Sequence, residues 1–335
     1  MSQGPALRRV AVYALCTVSY ALHAVLTECA KDASGRLAFD VATVVGLSEV
    51  FKLLVSLVLM AREPGGLATH VPMTLRNTAS VRFAVPALLY AFNNQLAFWL
   101  LHQMDPATMQ LLSNFKVVPT VLLSLYFIGG KLSGTRWLSL LVLFCATLAS
   151  HNAARASAAA RAPVMGTTTL GLLEVAVYCT VSGVATTWNE KVLKEDGTSI
   201  HVQNASLYIW GVACNFLWVA LHYSPGALGS IWGVWPMANL LNQSLTGLLV
   251  SVVLKYGSHG SIDKLFIVGS AVLPATVASC VLFEYALTDK FLVSAALTLV
   301  ALMLYAKEPN LDFRRFFVAK TTAPKLTSLR TIREE

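Results

Sequence analysis

The sequence has 335 residues, of which 56% are hydrophobic and only 13% are charged, compared with roughly 25% charged residues in soluble domains. With a mean hydropathy of +0.63, this composition predicts an integral membrane protein and excludes a soluble catalytic domain. The formal net charge of +8 comes from lysines and arginines scattered through loops and the tail, which indicates membrane topology signals rather than a nucleic-acid surface.

Apolar runs that are long enough to cross the hydrocarbon core recur along the whole chain. They predict ten transmembrane helices, near residues 10–28, 41–61, 83–102, 106–128, 135–151, 168–190, 202–222, 237–255, 265–284 and 290–306. No convincing small-residue cleavage site follows the first run, so we expect that run to be a signal anchor.

The basic residues are distributed unevenly over the predicted connections. An even number of spans places both termini on one side, and that side holds most of the lysines and arginines. Because positively charged loops stay in the cytosol, the sequence predicts cytosolic termini.

The longest polar connection inside the chain is HNAARASAAARAPVMGTTT, between the fifth and sixth predicted spans. Its Ala-rich, Pro-containing composition is typical of a linker. Five is an odd number, so the second set of five helices would be inverted relative to the first, an arrangement that places binding sites near the midplane. The predicted parts are a cytosolic N-tail (1–9), a first five-helix repeat (10–151), a luminal linker (152–167), a second five-helix repeat (168–306) and a basic cytosolic C-tail (307–335).

Ionisable residues inside spans are costly and usually face a bundle interior or a cavity. Lys116 has no partner three or four residues away, so its partner is either on another helix or an anionic ligand. Glu49 and Lys52 are three residues apart and can pair locally, either to fix helix packing or near a substrate. Asn204 and Tyr208, four apart on one helix face, suit either a nucleobase or ordinary hydrogen bonds between helices.

Other polar residues carry weaker signals. Glu174 and Glu190 lie towards helix ends and are interpreted as solvated. His102 and Asp105 form an H-x-x-D sequence that indicates turn chemistry rather than catalysis. The six cysteines include no C-x-x-C pair, so free thiols are expected, and neither a disulfide framework nor a zinc site is supported. No catalytic, metal or cofactor motif is found, so the sequence does not predict an enzyme.

Five segments, taken in order, resemble the nucleotide-sugar transporters, in particular the branch of CMP-sialic acid, UDP-galactose and UDP-N-acetylglucosamine carriers. The segments are SEVFKLL, VPALLYAFNNQLAF, DPATMQLLSNFKVVPT, NEKVLKEDGTSIHVQNASLY and GLLVSVVLKYGSHGSIDKLF. Each is weak alone, but the ordered set covers nearly the whole chain. The LSNFK and WNEKVLK forms look most similar to plant and algal CMP-sialic-acid-transporter-like proteins.

The resemblance implies the ten-helix drug/metabolite-transporter fold and exchange of a cytosolic nucleotide sugar for a luminal nucleoside monophosphate. It implies a multi-pass protein of the Golgi membrane, or alternatively the ER membrane, surrounded by lipid, with no cofactor and no nucleic acid. It leaves open whether the chain acts alone or as a homodimer. The site residues that it implies are Lys116 and Lys264 for phosphate, Asn204 and Tyr208 for the base, Asn94 and Gln95 in the third span, Gly247 and Ser251 for close approach of the eighth span, and the charged pair Glu49 and Lys52.

Two departures from the family pattern leave the choice between UDP- and CMP-linked sugars open. The usual Q-N-N appears as Asn93-Asn94-Gln95, and Met109 stands where a tyrosine is frequent. A third departure, a loop at 256–264 that is longer than usual, bears on the placement of Lys264. Two other functions stay under consideration. One, which Met109 and the longer loop favour, is a non-transporting membrane scaffold or regulator with the same fold. The other, an exporter of small organic cations or neutral metabolites, is disfavoured for cations because the expected cavity groups are themselves cationic.

Overall fold

The computed structural model describes residues 4–31, 37, 39–76, 78–103, 114–129, 132–158, 169–221, 229–257, 259–283 and 289–306. These residues are almost entirely helical, and within these ranges the only β-type pairing is an isolated bridge between Lys31 and Leu37. Helix is the expected outcome, because in hydrocarbon each backbone N–H and C=O must find its partner inside the chain.

The α-helices in the described ranges are numbered in chain order. They are α1 (Gly4–Cys29), α2 (Val41–Ala61), α3 (Gly66–Arg76), α4 (Thr78–Arg82), α5 (Ala84–Gln103), α6 (Val117–Phe127), α7 (Gly134–Ala158), α8 (Thr169–Glu195), α9 (Ile200–Leu221), α10 (Val234–Tyr256), α11 (Gly260–Phe283) and α12 (Asp289–Ala306). Short 3-10 turns cover Asn114–Lys116 and Gly229–Ile231. The long helices overlap the predicted spans, whereas the short helices α3 and α4 occupy what the sequence indicated as a connection.

Among the residues that the structure describes, six helices are long and apolar enough to cross a membrane, namely α1, α2, α8, α9, α10 and α11. Shorter apolar stretches lie in α6, α7 and α12. Large apolar side chains on the outside of the bundle, such as Val281 at 75% exposure, suit contact with lipid tails. The protein is therefore an all-α membrane protein, as predicted, while the count of ten spans stays a prediction.

The start of α2 is fixed by a side-chain cap. The carboxylate of Asp40 accepts a hydrogen bond from the backbone N–H of Thr43 at 2.7 Å and another from its hydroxyl at 2.5 Å. Such a cap satisfies a backbone donor that has no partner inside the helix. The cap fixes the residue at which α2 begins, and therefore the position along the helix axis of the polar residues in the middle of that helix.

The helices pack in a regular set of pairs. Helix α2 lies against α9, and α7 lies against α12. Helix α1 contacts both α10 and α11, while α8 contacts both α5 and α6. A Cβ atom added at Gly183 of α8 would lie 3.1 Å from the backbone nitrogen of Thr120 in α6, so the absence of a side chain lets these two helices approach closely. The space enclosed by α1, α2, α5, α6 and α8–α11 is a cavity.

Candidate functional site

The cavity has a volume of about 490 Å³, within the range of roughly 300–1,000 Å³ that is usual for small-molecule sites. The charged residues in its wall are Glu49, Lys52, Lys116 and Lys264. Four tyrosines also line it, together with several asparagines, serines and threonines: Tyr20, Tyr90, Tyr178, Tyr208, Asn93, Asn94, Asn189, Asn215, Ser182, Ser251, Ser261, Thr120, Thr186 and Thr246. Such a wall offers many hydrogen-bonding groups and aromatic faces to a polar ligand.

Two of the lysines in the wall have no acidic partner among the described residues. Lys116 and Lys264 form no salt bridge with any carboxylate in the described ranges. Lys264 donates a hydrogen bond of 3.4 Å to the hydroxyl of Thr186, and the charges of Lys116 and Lys264 lie close enough to repel each other. Two like charges in the wall of one cavity would both be stabilised by an anion placed between them.

The acidic residue next to Lys264 in sequence does not neutralise it. Asp263 is buried, and its carboxylate accepts a hydrogen bond of 2.9 Å from the hydroxyl of Tyr13 and another from that of Tyr305. Its side chain is not part of the cavity wall. The cationic character of this end of the cavity is therefore retained.

The third lysine is paired. Lys52 donates to the Glu49 carboxylate at 2.6 Å, as the predicted local pairing required. The ammonium of Lys52 also lies 4.7 Å from the centre of the Tyr208 ring, a distance that allows a cation–π interaction. The pair adds no net charge to the cavity, so the excess positive charge comes from the two other lysines.

Two glycines make room for this pair. A Cβ atom at Gly211 would lie 2.8 Å from the Glu49 carboxylate oxygen Oε2, and one at Gly247 would lie 2.8 Å from Cδ of Lys52. Any larger residue at either position would push a charged side chain aside. On the same wall, the hydroxyls of Tyr208 and Ser251 are hydrogen-bonded at 3.2 Å.

Comparison with known proteins gives this cavity a context. A family model described as nucleotide-sugar transporter matches residues 6–306. The chain belongs to the nucleotide-sugar transporter family. It is therefore a transporter rather than an enzyme, in agreement with the sequence-based prediction.

Individual relatives share moderate sequence identity with this chain. The mouse protein named probable UDP-sugar transporter protein SLC35A4 is 36% identical over 308 residues, covering 88% of this chain and 93% of that protein. The human protein of the same name is 35% identical, and the match covers 87% of this chain and 91% of that protein. The zebrafish protein of that name is 33% identical, and the match covers 91% of this chain and 96% of that protein. A solved crystal structure matches with a TM-score of 0.68 at 16% identity, over 88% of this chain and 95% of that one, which supports the fold alone.

The residues that the resemblance implied fall into two groups. Those that line the cavity are Glu49, Lys52, Asn94, Lys116, Tyr208, Gly247, Ser251 and Lys264. Asn204 and Gln95 are not part of its wall. Asn204 is buried one helical turn before Tyr208, and its Oδ1 accepts no hydrogen bond from the described residues. Gln95 follows Asn94 on α5, where successive side chains are turned by about 100°, and lies off the cavity. The ligand roles of all ten remain predictions.

Several residues of the transporter's cavity were not identified from the sequence. Tyr20, Tyr90 and Tyr178 carried no signal, because aromatic residues are common in membrane spans. Thr186 and Asn189 lie three residues apart on one face of α8, where Asn189 begins the conspicuous segment NEKVLK, and this spacing could have indicated them.

The interpretation of Glu190 was wrong. It was expected to be solvated at a helix end, but it is 0% exposed because its carboxylate is enclosed between α8 and the start of α11. None of the six cysteines, all of which lie in the described ranges, forms a disulfide, and Cys145 is exposed. Met109 and Asp105 lie outside the described residues.

Proposed function

We propose that the protein exchanges a pyrimidine nucleotide sugar for a nucleoside monophosphate by alternating access. The observation that carries the proposal is the pair of cavity lysines, Lys116 and Lys264, which no described carboxylate neutralises. In a chain of the nucleotide-sugar transporter family, phosphate is the anion that such a pair would accept.

Charge also suggests why transport would be an exchange. A diphosphate-linked sugar and a nucleoside monophosphate each bring about two negative charges near neutral pH, which matches two lysines. Without either ligand, the like charges of Lys116 and Lys264 share one cavity wall with no described carboxylate to neutralise them. Reorientation of the empty carrier is therefore disfavoured, and the loaded carrier moves in both directions.

The remaining wall suggests how the other parts of the ligand are held. The rings of Tyr208 and its neighbouring tyrosines offer faces for stacking with a base. Asn93 and Asn189 have buried Oδ1 atoms that accept no hydrogen bond from the described residues, so they are available to ligand hydroxyl or amine groups. Asn94 and the predicted Asn204 are further amide candidates for base recognition.

The ten-helix arrangement in two inverted repeats is part of the proposal. If α1, α2, α5, α6 and α7 correspond to α8, α9, α10, α11 and α12, then exchanging the two sets leaves the main contacts unchanged. The contact of α1 with α10 becomes that of α8 with α5, and the contact of α1 with α11 becomes that of α8 with α6. This symmetry of contacts supports two similar halves that rock around the cavity.

We favour a UDP-linked over a CMP-linked sugar, because the mouse, human and zebrafish relatives carry the name probable UDP-sugar transporter. The proposed location is the Golgi membrane, with the ER membrane as the alternative, and both termini in the cytosol. The polar wall suits a hydroxyl-rich sugar.

Exchange into proteoliposomes tests the proposal. Vesicles are preloaded with UMP, CMP, GMP or buffer, and uptake of labelled UDP-galactose, UDP-N-acetylglucosamine and CMP-sialic acid is followed. We expect UMP to accelerate uptake of a UDP-sugar more than GMP or buffer does. Uptake that is indifferent to preloading would rule out obligatory exchange, and failure of every nucleotide to stabilise the purified protein would favour a scaffold.

A variant pair tests the phosphate role of the cavity lysines. Lys116→Ala should lower uptake at least about tenfold, since it removes a charge-assisted contact to phosphate. The control is Lys31→Ala, which removes a lysine paired with Glu28 and half-exposed outside the cavity. Uptake by Lys116→Ala at the wild-type rate would show that the lysine does not hold the phosphate.

A further inference from the structure

Glu190 joins two helices at the edge of the cavity. Its carboxylate accepts hydrogen bonds from the backbone N–H groups of Gly260 at 2.8 Å and Ser261 at 2.9 Å, and from the Ser261 hydroxyl at 2.5 Å. Lys194, one turn further along α8, donates to the same carboxylate. A fully buried carboxylate with this many donors is held firmly, because each donor offsets part of its desolvation cost.

The bonds of Glu190 fix the first turn of α11. Gly260 is the first residue of that helix, and its opening N–H groups have no partner within the helix. A carboxylate from α8 takes the place that a local capping side chain would occupy, and it also suits the positive end of the helix dipole. The position of the α11 start therefore depends on a residue that is 70 positions away in the sequence.

The same turn of α11 carries a phosphate-binding candidate. Ser261 and Lys264 both line the cavity, and they are three residues apart, on one face of the helix. Lys264 also touches α8, through its bond to Thr186, which is one turn before Glu190. Helix α8 thus contacts this turn at two points. Glu190 binds its backbone N–H groups, and Thr186 binds the ammonium of Lys264.

Glu190 itself is placed to act only through other residues. Its carboxylate is not part of the cavity wall, and all of its described contacts are to protein groups. If the first turn of α11 were released, Lys264 would be pushed away by Lys116, since their charges repel. The Glu190 bonds oppose that displacement.

We propose that Glu190 is a positioning residue, which anchors the first turn of α11 to α8 and so holds Lys264 at the phosphate end of the cavity. This inference rests on the proposed function, because it concerns the binding of the phosphate groups of a nucleotide. It predicts that Glu190 affects the binding of phosphate and not the binding of a nucleoside.

A double-mutant cycle on the purified full-length protein tests this proposal. The variants are Glu190→Gln, Lys264→Ala and both together, and the Kd values of UDP and of uridine are measured for each. We expect Glu190→Gln to weaken UDP about tenfold, a coupling typical of residues in one contact network, and to leave uridine within about twofold of the wild-type value. In the Lys264→Ala background the same change should alter UDP binding by less than about twofold.

Controls separate positioning from general damage. Glu195→Gln removes an acidic residue from the same helix, but Glu195 is half-exposed and pairs with Arg82, so neither Kd should change. Glu190→Asp keeps the charge on a shorter side chain and should recover part of the UDP affinity. If Glu190→Gln does not fold, the cycle is run with Glu190→Asp, for which a weakening of UDP alone that disappears in the Lys264→Ala background supports the proposal.

Four results would overturn the inference. Wild-type UDP affinity in Glu190→Gln would show that the anchor is unnecessary. Equal losses for UDP and uridine would indicate a purely structural role. Additive effects of the two substitutions would mean that Glu190 does not act through Lys264. Failure of the wild-type protein to bind any nucleotide would remove the proposed function itself and the inference with it, a result that differs from the other three.

Discussion

Replacing Gly211 by alanine should disturb the cavity without unfolding the protein. The added Cβ would lie 2.8 Å from Oε2 and 3.2 Å from Cδ of Glu49, whereas carbon and oxygen atoms in contact usually lie roughly 3.3–3.6 Å apart. The carboxylate must therefore retreat by about 0.5–0.8 Å. Because Oε1 of the same carboxylate accepts the 2.6 Å bond from Lys52, we expect this movement also to shift the ammonium from its position 4.7 Å from the centre of the Tyr208 ring.

The effect on stability should be small. The displaced atoms are the far end of a flexible side chain, so the overpacking cost falls at the low end of about 1–3 kcal/mol. Alanine in place of glycine inside a helix gains up to about 1 kcal/mol, and the two contributions nearly cancel. Nucleotide affinity should nevertheless fall about 3–10-fold, or about 0.7–1.4 kcal/mol, because the charged pair in the cavity wall is rearranged.

Parallel measurements on purified protein check this prediction. Nucleotide Kd and the thermal midpoint are determined for the wild type, Gly211→Ala and the control Gly134→Ala, whose added Cβ would meet no atom within 4 Å. We expect a weaker Kd only in Gly211→Ala and little change in midpoint in either variant. Wild-type affinity in Gly211→Ala would show that Glu49 has room to move and that its position is not part of the site.

Substitutions at three further positions test other contacts. Gly183→Leu should lower the thermal midpoint strongly, because even a Cβ at this position would lie 3.1 Å from the backbone nitrogen of Thr120. Gly183→Ala adds only that Cβ and should lower the midpoint less. A leucine variant as stable as the wild type would contradict the close packing of α6 and α8. Tyr208→Phe keeps the ring but loses the hydrogen bond to Ser251, so its transport activity should fall less than that of Tyr208→Leu. Equal losses of activity in the two variants would show that the ring does not contribute to transport. Asp40→Ala should destabilise the protein by about 1 kcal/mol through loss of the α2 cap, and Asp40→Asn should not, as measured by thermal or denaturant unfolding.

The sequence alone was sufficient for the features that depend on local chemistry. Membrane insertion and the approximate positions of the long helices follow from the length of the apolar runs. The Glu49–Lys52 pair was predictable, because residues three apart on a helix are neighbours whatever surrounds them. Lys116 was conspicuous for a similar reason, since no acidic residue lies within one turn of it and an isolated charge in a span is costly.

Contacts between side chains of different helices could not be predicted from the sequence and were found only in the tertiary structure. Glu190 has the local sequence of a solvated helix end, yet packing places it against the N–H groups of Gly260 and Ser261. Tyr178 and Gly211 reach the cavity because of how α8 and α9 are rotated, and hydropathy cannot fix the rotation of a helix that is apolar on all sides. The sequence by itself determined that a cationic group lies within a membrane bundle. Only the tertiary structure decided which side chains surround it, because those contacts join residues that are far apart in the chain.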